Sequence, residues 1–332
     1  MSEASRVAVG KVILGLFTPS YGQFSFTKLW REPGNRGEVS WMEPLKPLFC
    51  TVIEPTENWV NAAALLMHSL RRNGGEHAKS PFVVLVNGVA RAPSPLLDDE
   101  NRRLLILGND RHPLIPHISK VSSLGLADLL PFTHLILLDH DTIVLRLDDL
   151  TTFLTDKVHA RRNYKYGLVR FLGKDYAKAL VAPGVRPWSR IHYFNSGVVF
   201  VPRKHCLSLE KHWRSWAELL IEPYHGRPLA EQMGFAMALA SARIPYAFLP
   251  GRYNETNWRP PSSDPAIIHY NAHDPINKEV KSKALASYED LRAFLQHTDN
   301  RFWRAHAPTI TRLMGPELDA LAARMSIALR AS

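Results

Sequence analysis

The stretch from Thr133 to Leu145 reads THLILLDHDTIVL, and it decides the fold that the sequence predicts. Residues up to Leu138 are apolar or β-prone, which is typical of a central strand buried on both faces of a sheet. Asp139 and Asp141 follow at once, so two carboxylates should emerge at the carboxyl end of that strand. Open α/β sheets bind ligands at this edge, and carboxylates buried there need a cation or hydrogen-bond donors. The stretch therefore predicts a site for Mg²⁺ or Mn²⁺, which prefer oxygen ligands.

The sequence upstream supports a parallel sheet. The segment 48–53 has the composition of a buried strand, and 58–72 carries apolar residues at helical spacing. A second apolar strand is predicted over 81–86. A strand, a helix and a strand in this order form a βαβ unit, whose two strands are parallel. The ordinary alternative for the two acids is a strand that ends in a capped turn, with Asp141 serving the next helix.

The remaining periodicity predicts an α/β chain with a helical C-terminus. Helices are predicted at the start of 96–107 and over 118–130, 147–154, 205–221, 229–242, 287–295, 301–314 and 317–329. Strands are predicted at the end of 96–107 and over 167–171, 191–201, 245–249 and 266–270. The basic segment 174–190 is expected to be a mobile loop that folds over a bound ligand. We divide the chain into an N-terminal extension (1–46), a main domain (47–285) and a C-terminal helical region (286–332).

Composition narrows the function class. The formal net charge of +10 favours anionic partners, but the basic residues are scattered without interleaved aromatics, so no nucleic-acid partner is expected. Cys50 and Cys206 provide neither a disulfide framework nor a zinc pattern, and both are expected to be inert core thiols. The sequence contains no convincing signal peptide and no apolar run long enough for a transmembrane segment. A cytoplasmic location is the expectation.

Three further motifs carry polar groups in apolar surroundings. Asn195, Ser196 and Gly197 interrupt an apolar strand, which indicates either a β-bulge or a close approach of the backbone to a ligand. Glu231-Gln232 lies near the start of an apolar helix, where an acid is also favoured by the helix dipole. His269 ends an apolar strand, where it is either a metal ligand or a satisfied core histidine.

In their order along the chain, these motifs resemble those of the glycogenin-like family 8 glycosyltransferases, which have the GT-A fold. The matching pieces are Leu138-Asp-His-Asp-Thr142, Phe194-Asn-Ser-Gly-Val198, Glu231-Gln232, Leu249-Pro-x-x-Tyr-Asn254 and Ile268-His-Tyr270. The resemblance covers 48 to about 277 and leaves both ends of the chain unexplained. It implies a mixed, mostly parallel sheet flanked by helices.

The resemblance also implies a chemistry and a set of residues. Asp139, Asp141 and His269 would hold Mn²⁺ or Mg²⁺, which would stabilise the departing nucleoside diphosphate as a Lewis acid. The enzyme would be a hexosyltransferase (EC 2.4 class) that uses a UDP-hexose as nucleotide-sugar donor, with Trp59 stacked on the uracil. The other implied positions are Thr51, Lys120, Ser196 and Gly197 for donor binding, with Asp139 shared between donor and metal, and Asn195, Glu231 and Gln232 near the reacting carbon.

Two departures from the family pattern bear on mechanism. Glu231 stands where the family usually has Asp, and the lysine expected to grip the phosphates is replaced by Pro275. Arg252, His273 and Lys278 are alternative phosphate ligands. Family members transfer with retention, either by a front-face mechanism or by a double displacement in which Glu231 would be the nucleophile.

Other functions remain open on the sequence alone. A haloacid-dehalogenase-like phosphatase also has a strand that ends in D-x-D, although its pattern wants Thr or Val at the position of Ile143. A sugar nucleotidyltransferase would carry a Gly-rich, basic N-terminal loop, which is absent. A GT-A domain without activity would serve as a binding scaffold. The acceptor, whether glycan, lipid or protein, is not encoded in a readable pattern, and the helix over 317–329 could support a homo-oligomer.

Overall fold

The apolar runs of the sequence form two sheets in the structure, a computed structural model that describes residues 46–87, 95–99, 102–109, 116–163, 191–220, 228–256, 261–270 and 287–331. All of them belong to one compact unit, which spans Val39–Ser332. The described strands are β1 (Leu48–Ile53), β2 (Phe82–Asn87), β3 (Pro95–Asp99), β4 (Arg102–Asn109), β5 (His134–Leu138), β6 (Thr142–Val144), β7 (Val158–Arg162), β8 (Phe194–Pro202), β9 (Tyr246–Phe248), β10 (Glu255–Thr256) and β11 (Ile267–His269).

Helices separate these strands and close the chain. The described α-helices are α1 (Glu57–Asn73), α2 (Arg203–Leu219), α3 (Pro228–Ser241), α4 (Tyr288–His297), α5 (Arg301–Thr311) and α6 (Pro316–Ala331). The described 3₁₀ helices span Gly75–Lys79, Pro116–Asp128, Leu150–Phe153 and Gly251–Asn254.

The large sheet has the strand order β3-β4-β2-β1-β5-β8-β7-β9. Parallel pairing joins β4, β2, β1 and β5, while β8 is antiparallel to both β5 and β7. A small sheet of order β10-β11-β6 lies beyond the carboxyl end of β5. The prediction of a mixed, mostly parallel sheet flanked by helices is confirmed.

Both faces of strands β1, β2, β5 and β8 are buried, which explains why these strands are apolar without alternation. In β1, Phe49 packs in the core beneath α1 and the C-terminal helices α4 to α6. Its neighbours Leu48 and Cys50 point to the other face, where the core includes side chains of α2, α3 and Pro116–Asp128. Cys50 and Cys206 are free and buried, and burial raises the pKa of both thiols, as expected for inert core residues.

The secondary-structure predictions hold for most elements but not for all. Strands β6 and β10 were not predicted, and the helix predicted over 147–154 is a 3₁₀ helix, Leu150–Phe153. The segment 96–107 begins as strand β3 and not as a helix, because β3 and β4 pair with each other and β4 extends the sheet beside β2. The helix predicted over 118–130 is a 3₁₀ helix, Pro116–Asp128. Strand β7 was not predicted, because its short sequence VHARR has little apolar character.

Several predicted features lie outside the described residues: most of the N-terminal extension (1–45), the strand over 167–171 and the loop over 174–190. The division into three regions stays a prediction. Among the helices of the described ranges, none combines the length and the apolarity that crossing a membrane requires.

Candidate metal centre and donor site

Asp139 and Asp141 lie in the turn where the chain leaves the large sheet and enters the small one. The Asp139 backbone N–H donates to the Gly197 carbonyl on β8 over 2.8 Å, which extends the ladder one residue past β5. The Thr142 hydroxyl and backbone N–H both donate to the Asp139 carbonyl, at 2.7 and 3.1 Å, and so close the turn. Asp141 is buried, whereas the Asp139 side chain is 24% exposed. The turn therefore presents one accessible carboxylate and one enclosed carboxylate.

Strand pairing brings His269 to these carboxylates. Strand β11 is antiparallel to β6 with His269 opposite Thr142, and the Tyr270 backbone N–H donates to the Asp141 carbonyl over 3.1 Å. His269 Nε2 lies 3.2 Å from Asp141 Oδ1 and 3.8 Å from Asp139 Oδ2. One ligand atom from each of the three residues falls within 4.8 Å of the others. Two carboxylates and an imidazole at this spacing fit a divalent cation such as Mn²⁺ or Mg²⁺.

Lys120 links this centre to a buried glutamate. Its Nζ lies 2.9 Å from Asp139 Oδ1, 3.3 Å from Glu231 Oε2 and 3.1 Å from Ser196 Oγ. Ser196 in turn donates to Glu231 Oε2 over 3.0 Å. Burial opposes the charge on Lys120, but the two carboxylates more than offset it and raise the pKa of Lys120. Burial raises the pKa of Glu231 to about 7, although Lys120 acts to lower it.

Buried polar atoms without a hydrogen-bond partner among the described residues surround this cluster. They are Glu231 Oε1, Asn195 Nδ2 and Thr51 Oγ1. All three residues are at most 1% exposed. Because an unpaired buried polar group costs about 1–3 kcal/mol, these atoms indicate a ligand that supplies a donor to Glu231 and an acceptor to Asn195. Hydroxyl groups can do both.

Gly197 lies against the imidazole of His269. A Cβ at this position would be 2.1 Å from His269 Cε1 and 2.3 Å from Nδ1, distances that no side chain tolerates. Asn195 Oδ1 accepts from the Gly197 backbone N–H over 2.8 Å and from Asn254 Nδ2 over 3.0 Å. Asn254 Oδ1 lies 3.1 Å from His269 Nδ1. Gly197 thus provides room for the imidazole, and Asn195 and Asn254 connect the backbone N–H of Gly197 to Nδ1 of that ring.

The other predicted positions lie at the margins of this cluster. The Trp59 indole on α1 stacks on His140, the residue between the two aspartates, with ring centroids 3.7 Å apart and planes inclined by 27°. Gln232 Oε1 accepts from the Tyr193 hydroxyl over 3.1 Å. Thr51 is buried in β1.

Sequence reasoning missed several residues that contact the site. His140, Tyr193 and Arg161, which donates to the Asn254 carbonyl, carried no signal beyond their position. Asn254 belonged to a quoted motif, but no role was assigned to it. Of the proposed phosphate ligands, Arg252 is paired with Asp149 over 2.8 Å and with Asp264. His273 and Lys278 lie outside the described residues.

Comparisons with known proteins give similar folds only. No family model matches the chain, and no curated protein matches it. Mouse xyloside xylosyltransferase 1 in its apo form is 16% identical, with a TM-score of 0.43 over 70% of this chain and 100% of that chain. The galactosyltransferase LgtC, in complex with donor and acceptor sugar analogs, is 17% identical, with a TM-score of 0.48 over 82% and 99%. The glycosyltransferase GlyE of Streptococcus pneumoniae TIGR4 is 14% identical, with a TM-score of 0.49 over 84% and 63%. At these values the function must be argued from the residues of this chain.

Proposed function

We propose that this protein is a metal-dependent glycosyltransferase of the glycogenin-like type, which moves a hexose from UDP-hexose to a glycan, lipid or protein acceptor with retention at the anomeric carbon. The observation that carries the proposal is the convergence of Asp139, Asp141 and His269 at the carboxyl end of β5. These are the three positions at which the resemblance to family 8 places its metal ligands. A cytoplasmic location belongs to the same proposal.

The charges of the site support a cation and a diphosphate. Among the described residues, the largely buried cluster holds three carboxylates, those of Asp139, Asp141 and Glu231, and Lys120 pairs with Asp139 and Glu231. A divalent cation held by the aspartates and His269 would balance this excess and would supply Lewis-acid stabilisation to the leaving nucleoside diphosphate. Lys120, at the edge of the same cluster, would hold the donor beside Asp139.

The buried face of the site supports recognition of a sugar. Ser196, Asn195 and Glu231 provide a hydroxyl, an amide and a carboxylate, and Asn195 and Glu231 each have a buried atom without a hydrogen-bond partner in the part of the chain that the structure describes. Such groups would orient the hexose so that its anomeric carbon faces the acceptor. Lys120 and Ser196 bind Oε2 of Glu231, and since no described residue contacts Oε1, this oxygen would contact a sugar hydroxyl. This arrangement favours a positioning role for Glu231 and the front-face mechanism.

The uracil would rest on Trp59. Its indole already stacks on His140 within the D-x-D turn, so a base that packs against the indole would lie close to the metal ligands. Aromatic stacking of this kind contributes about 1–3 kcal/mol per base.

Thermal unfolding tests the proposal directly. The melting temperature is measured for the protein alone, with UDP, with Mn²⁺ and with both. Ligands that bind only the native state raise it by mass action, equivalent to about 2.7 kcal/mol at a concentration of 100 Kd. We expect a rise that requires UDP and Mn²⁺ together and that is lost in Asp141→Asn. Asp299→Asn, the same change at an exposed position, is the matched control and should keep the rise.

Release of UDP from UDP-hexose donors, measured in the presence of Mn²⁺, then identifies the sugar. Absence of any thermal shift with UDP, GDP or ADP plus metal would refute the transferase. Release of inorganic phosphate from a phosphomonoester would favour the phosphatase instead. A thermal shift without turnover of any donor would favour the binding scaffold.

A further inference from the structure

We infer that Asn195 and Asn254 act as positioning residues, which transmit the hydrogen-bond polarity of the Gly197 backbone to His269 and fix the imidazole as its Nδ1–H tautomer. We call this chain of contacts the asparagine relay: Gly197 N–H, Asn195, Asn254 and His269 Nδ1. Its value for metal binding rests on the proposed function, because His269 ligates through Nε2 in that proposal. The relay itself can be tested without metal.

The first link has only one possible direction. A backbone N–H can only donate, so the atom of Asn195 that lies 2.8 Å from the Gly197 nitrogen must be the acceptor Oδ1. This contact orients the Asn195 amide.

The second link follows from the first. Asn195 Oδ1 lies 3.0 Å from the side chain of Asn254, and because an oxygen cannot donate, the Asn254 atom there must be the donor Nδ2. The other atom of the Asn254 amide, Oδ1, therefore faces His269. Asn254 is fully buried, so no bulk water competes for these contacts.

The third link sets the tautomer. Asn254 Oδ1 can only accept, so His269 Nδ1, 3.1 Å away, must carry the proton. The lone pair of a neutral imidazole then lies on Nε2, which faces Asp141 Oδ1 at 3.2 Å and Asp139 Oδ2 at 3.8 Å. Nε2 and the two carboxylate oxygens then repel one another unless a cation, or a second proton on the imidazole, lies between them. Without the relay, the Nε2–H tautomer would donate to Asp141 and occupy the metal position with a proton.

Two further contacts hold the relay in place. Arg161, directly opposite Asn195 on the neighbouring strand β7, donates from Nη1 to the Asn254 carbonyl. Gly197 packs against the imidazole so closely that a Cβ would overlap Cε1 and Nδ1. Gly197 therefore limits the position of the ring by packing, and Asn254 orients it by a hydrogen bond at Nδ1. Hydrogen bonds of this kind are typical of the partners of metal-binding histidines.

The decisive measurement is the His269 tautomer by long-range ¹H–¹⁵N correlation in protein labelled with ¹⁵N-histidine, at alkaline pH and without metal. His269→Gln identifies the signals. We expect the Nδ1–H pattern in the wild type and the Nε2–H pattern in Asn254→Ala, because Asp141 then becomes the acceptor. Asn254→Asp still accepts from Nδ1 but can no longer donate to Asn195 Oδ1, so it keeps the third link alone and should retain the Nδ1–H pattern. A wild type with the Nε2–H pattern would overturn the relay.

Mn²⁺ affinity, measured by titration calorimetry, gives a second readout. Loss of an outer partner of a metal-binding histidine typically weakens binding about 10–100-fold, and we expect this in Asn254→Ala but not in Asn254→Asp. A merely structural fault would affect both variants alike. If Asn254→Ala does not fold, two variants of Asn195 replace it. Asn195→Asp still accepts from Gly197 and Asn254, whereas Asn195→Leu cannot accept. Only Asn195→Leu should lose the Nδ1–H pattern. Equal Mn²⁺ affinity of wild type and folded Asn254→Ala would refute the inference, whereas a wild type that binds no Mn²⁺ would refute the proposed function and leave the tautomer to decide the relay.

Discussion

If the proposed metal site is correct, replacement of Gly197 by alanine should weaken metal binding by displacing the side chain of His269. The added Cβ would lie 2.1 Å from His269 Cε1, 2.3 Å from Nδ1 and 3.0 Å from Asn195 Oδ1. Non-bonded carbon atoms prefer separations of about 3.5–4.0 Å, so the ring must retreat by more than 1 Å unless β8 moves. Because β8 is hydrogen-bonded to β5 on one side and β7 on the other, we expect the imidazole to give way.

The magnitude follows from that displacement. Overpacking of a filled site typically costs about 1–3 kcal/mol of stability. Metal ligands tolerate only about 0.2 Å of error in distance, and a misplacement of about 1 Å near a reacting centre can cost about 100-fold in rate. We therefore expect Gly197→Ala to fold, to lose at least about tenfold in Mn²⁺ affinity, and to lose about 100-fold in metal-dependent release of UDP from its donor.

Titration calorimetry with Mn²⁺ and urea denaturation of the metal-free protein measure the two effects separately. Gly315→Ala is the matched control, because a Cβ there meets nothing within 4 Å. Wild-type Mn²⁺ affinity in a folded Gly197→Ala variant would refute the reasoning, since His269 could not then ligate from the position that the structure gives it.

Three other substitutions test the packing and the charges around the site through the free energy of unfolding. In Gly234→Ala, the Cβ would lie 2.8 Å from the Ala217 nitrogen on α2, so urea denaturation should show a loss of about 1–3 kcal/mol while Mn²⁺ affinity stays unchanged. Lys120→Met leaves the carboxylates of Asp139 and Glu231 without their cation. The free energy of unfolding of the metal-free protein should fall by about 3 kcal/mol, and the double variant with Glu231→Gln should regain part of this loss. Burial raises the pKa of Glu231 from 4.5 to about 7 against the opposing charge of Lys120, so the folded state binds more protons than the unfolded state between these values. The contribution of Glu231 to the free energy of unfolding is therefore complete below pH 4.5 and is lost as the pH rises through 7. Glu231→Gln should flatten this decline.

Distinct outcomes would contradict each of these expectations. Reduced Mn²⁺ affinity in Gly234→Ala would mean that packing between α2 and α3 reaches the metal ligands. Additive effects of Lys120→Met and Glu231→Gln would mean that the two side chains do not interact. A pH profile of Glu231→Gln that is identical to the wild type would mean that Glu231 has an ordinary pKa in the folded protein.

The fold was predictable where burial dominates the choice of residues. Strands β1 and β5 are buried on both faces, and their short, uninterrupted apolar runs are typical of central strands. Strand β7 escaped prediction because Val158 and Ala160 are its only apolar residues, and its place in the sheet follows from pairing with β8 and β9. At the end of 96–107 the predicted strand is β4, but the helix predicted at its start is wrong, because strand β3 follows from pairing with β4, which local composition does not encode.

The candidate metal ligands were predictable one by one from their residue types and positions, but only the resemblance to a family joined them into one site. Asp139 and Asp141 can be recognised because they directly follow an apolar strand. His269 is 128 residues beyond Asp141 and reaches it through the pairing of β11 with β6. Asn254 and Arg161 carry no chemical signature of their own, because amides and guanidinium groups that orient other side chains are common in any fold. Their roles emerge only from contacts.

The register of the small sheet is what converts three distant residues into one site. Side chains alternate along a strand, so a slip of one residue between β6 and β11 would turn His269 to the opposite face. Two backbone contacts bracket this register: the Tyr270 N–H donates to the Asp141 carbonyl at one end, and the Leu145 N–H donates to the Ala266 carbonyl at the other. The first of these contacts lies inside the D-x-D turn itself. The turn that presents the carboxylates therefore also selects the face from which the imidazole arrives, and a change that loosens it would separate the ligands even if all three side chains were kept.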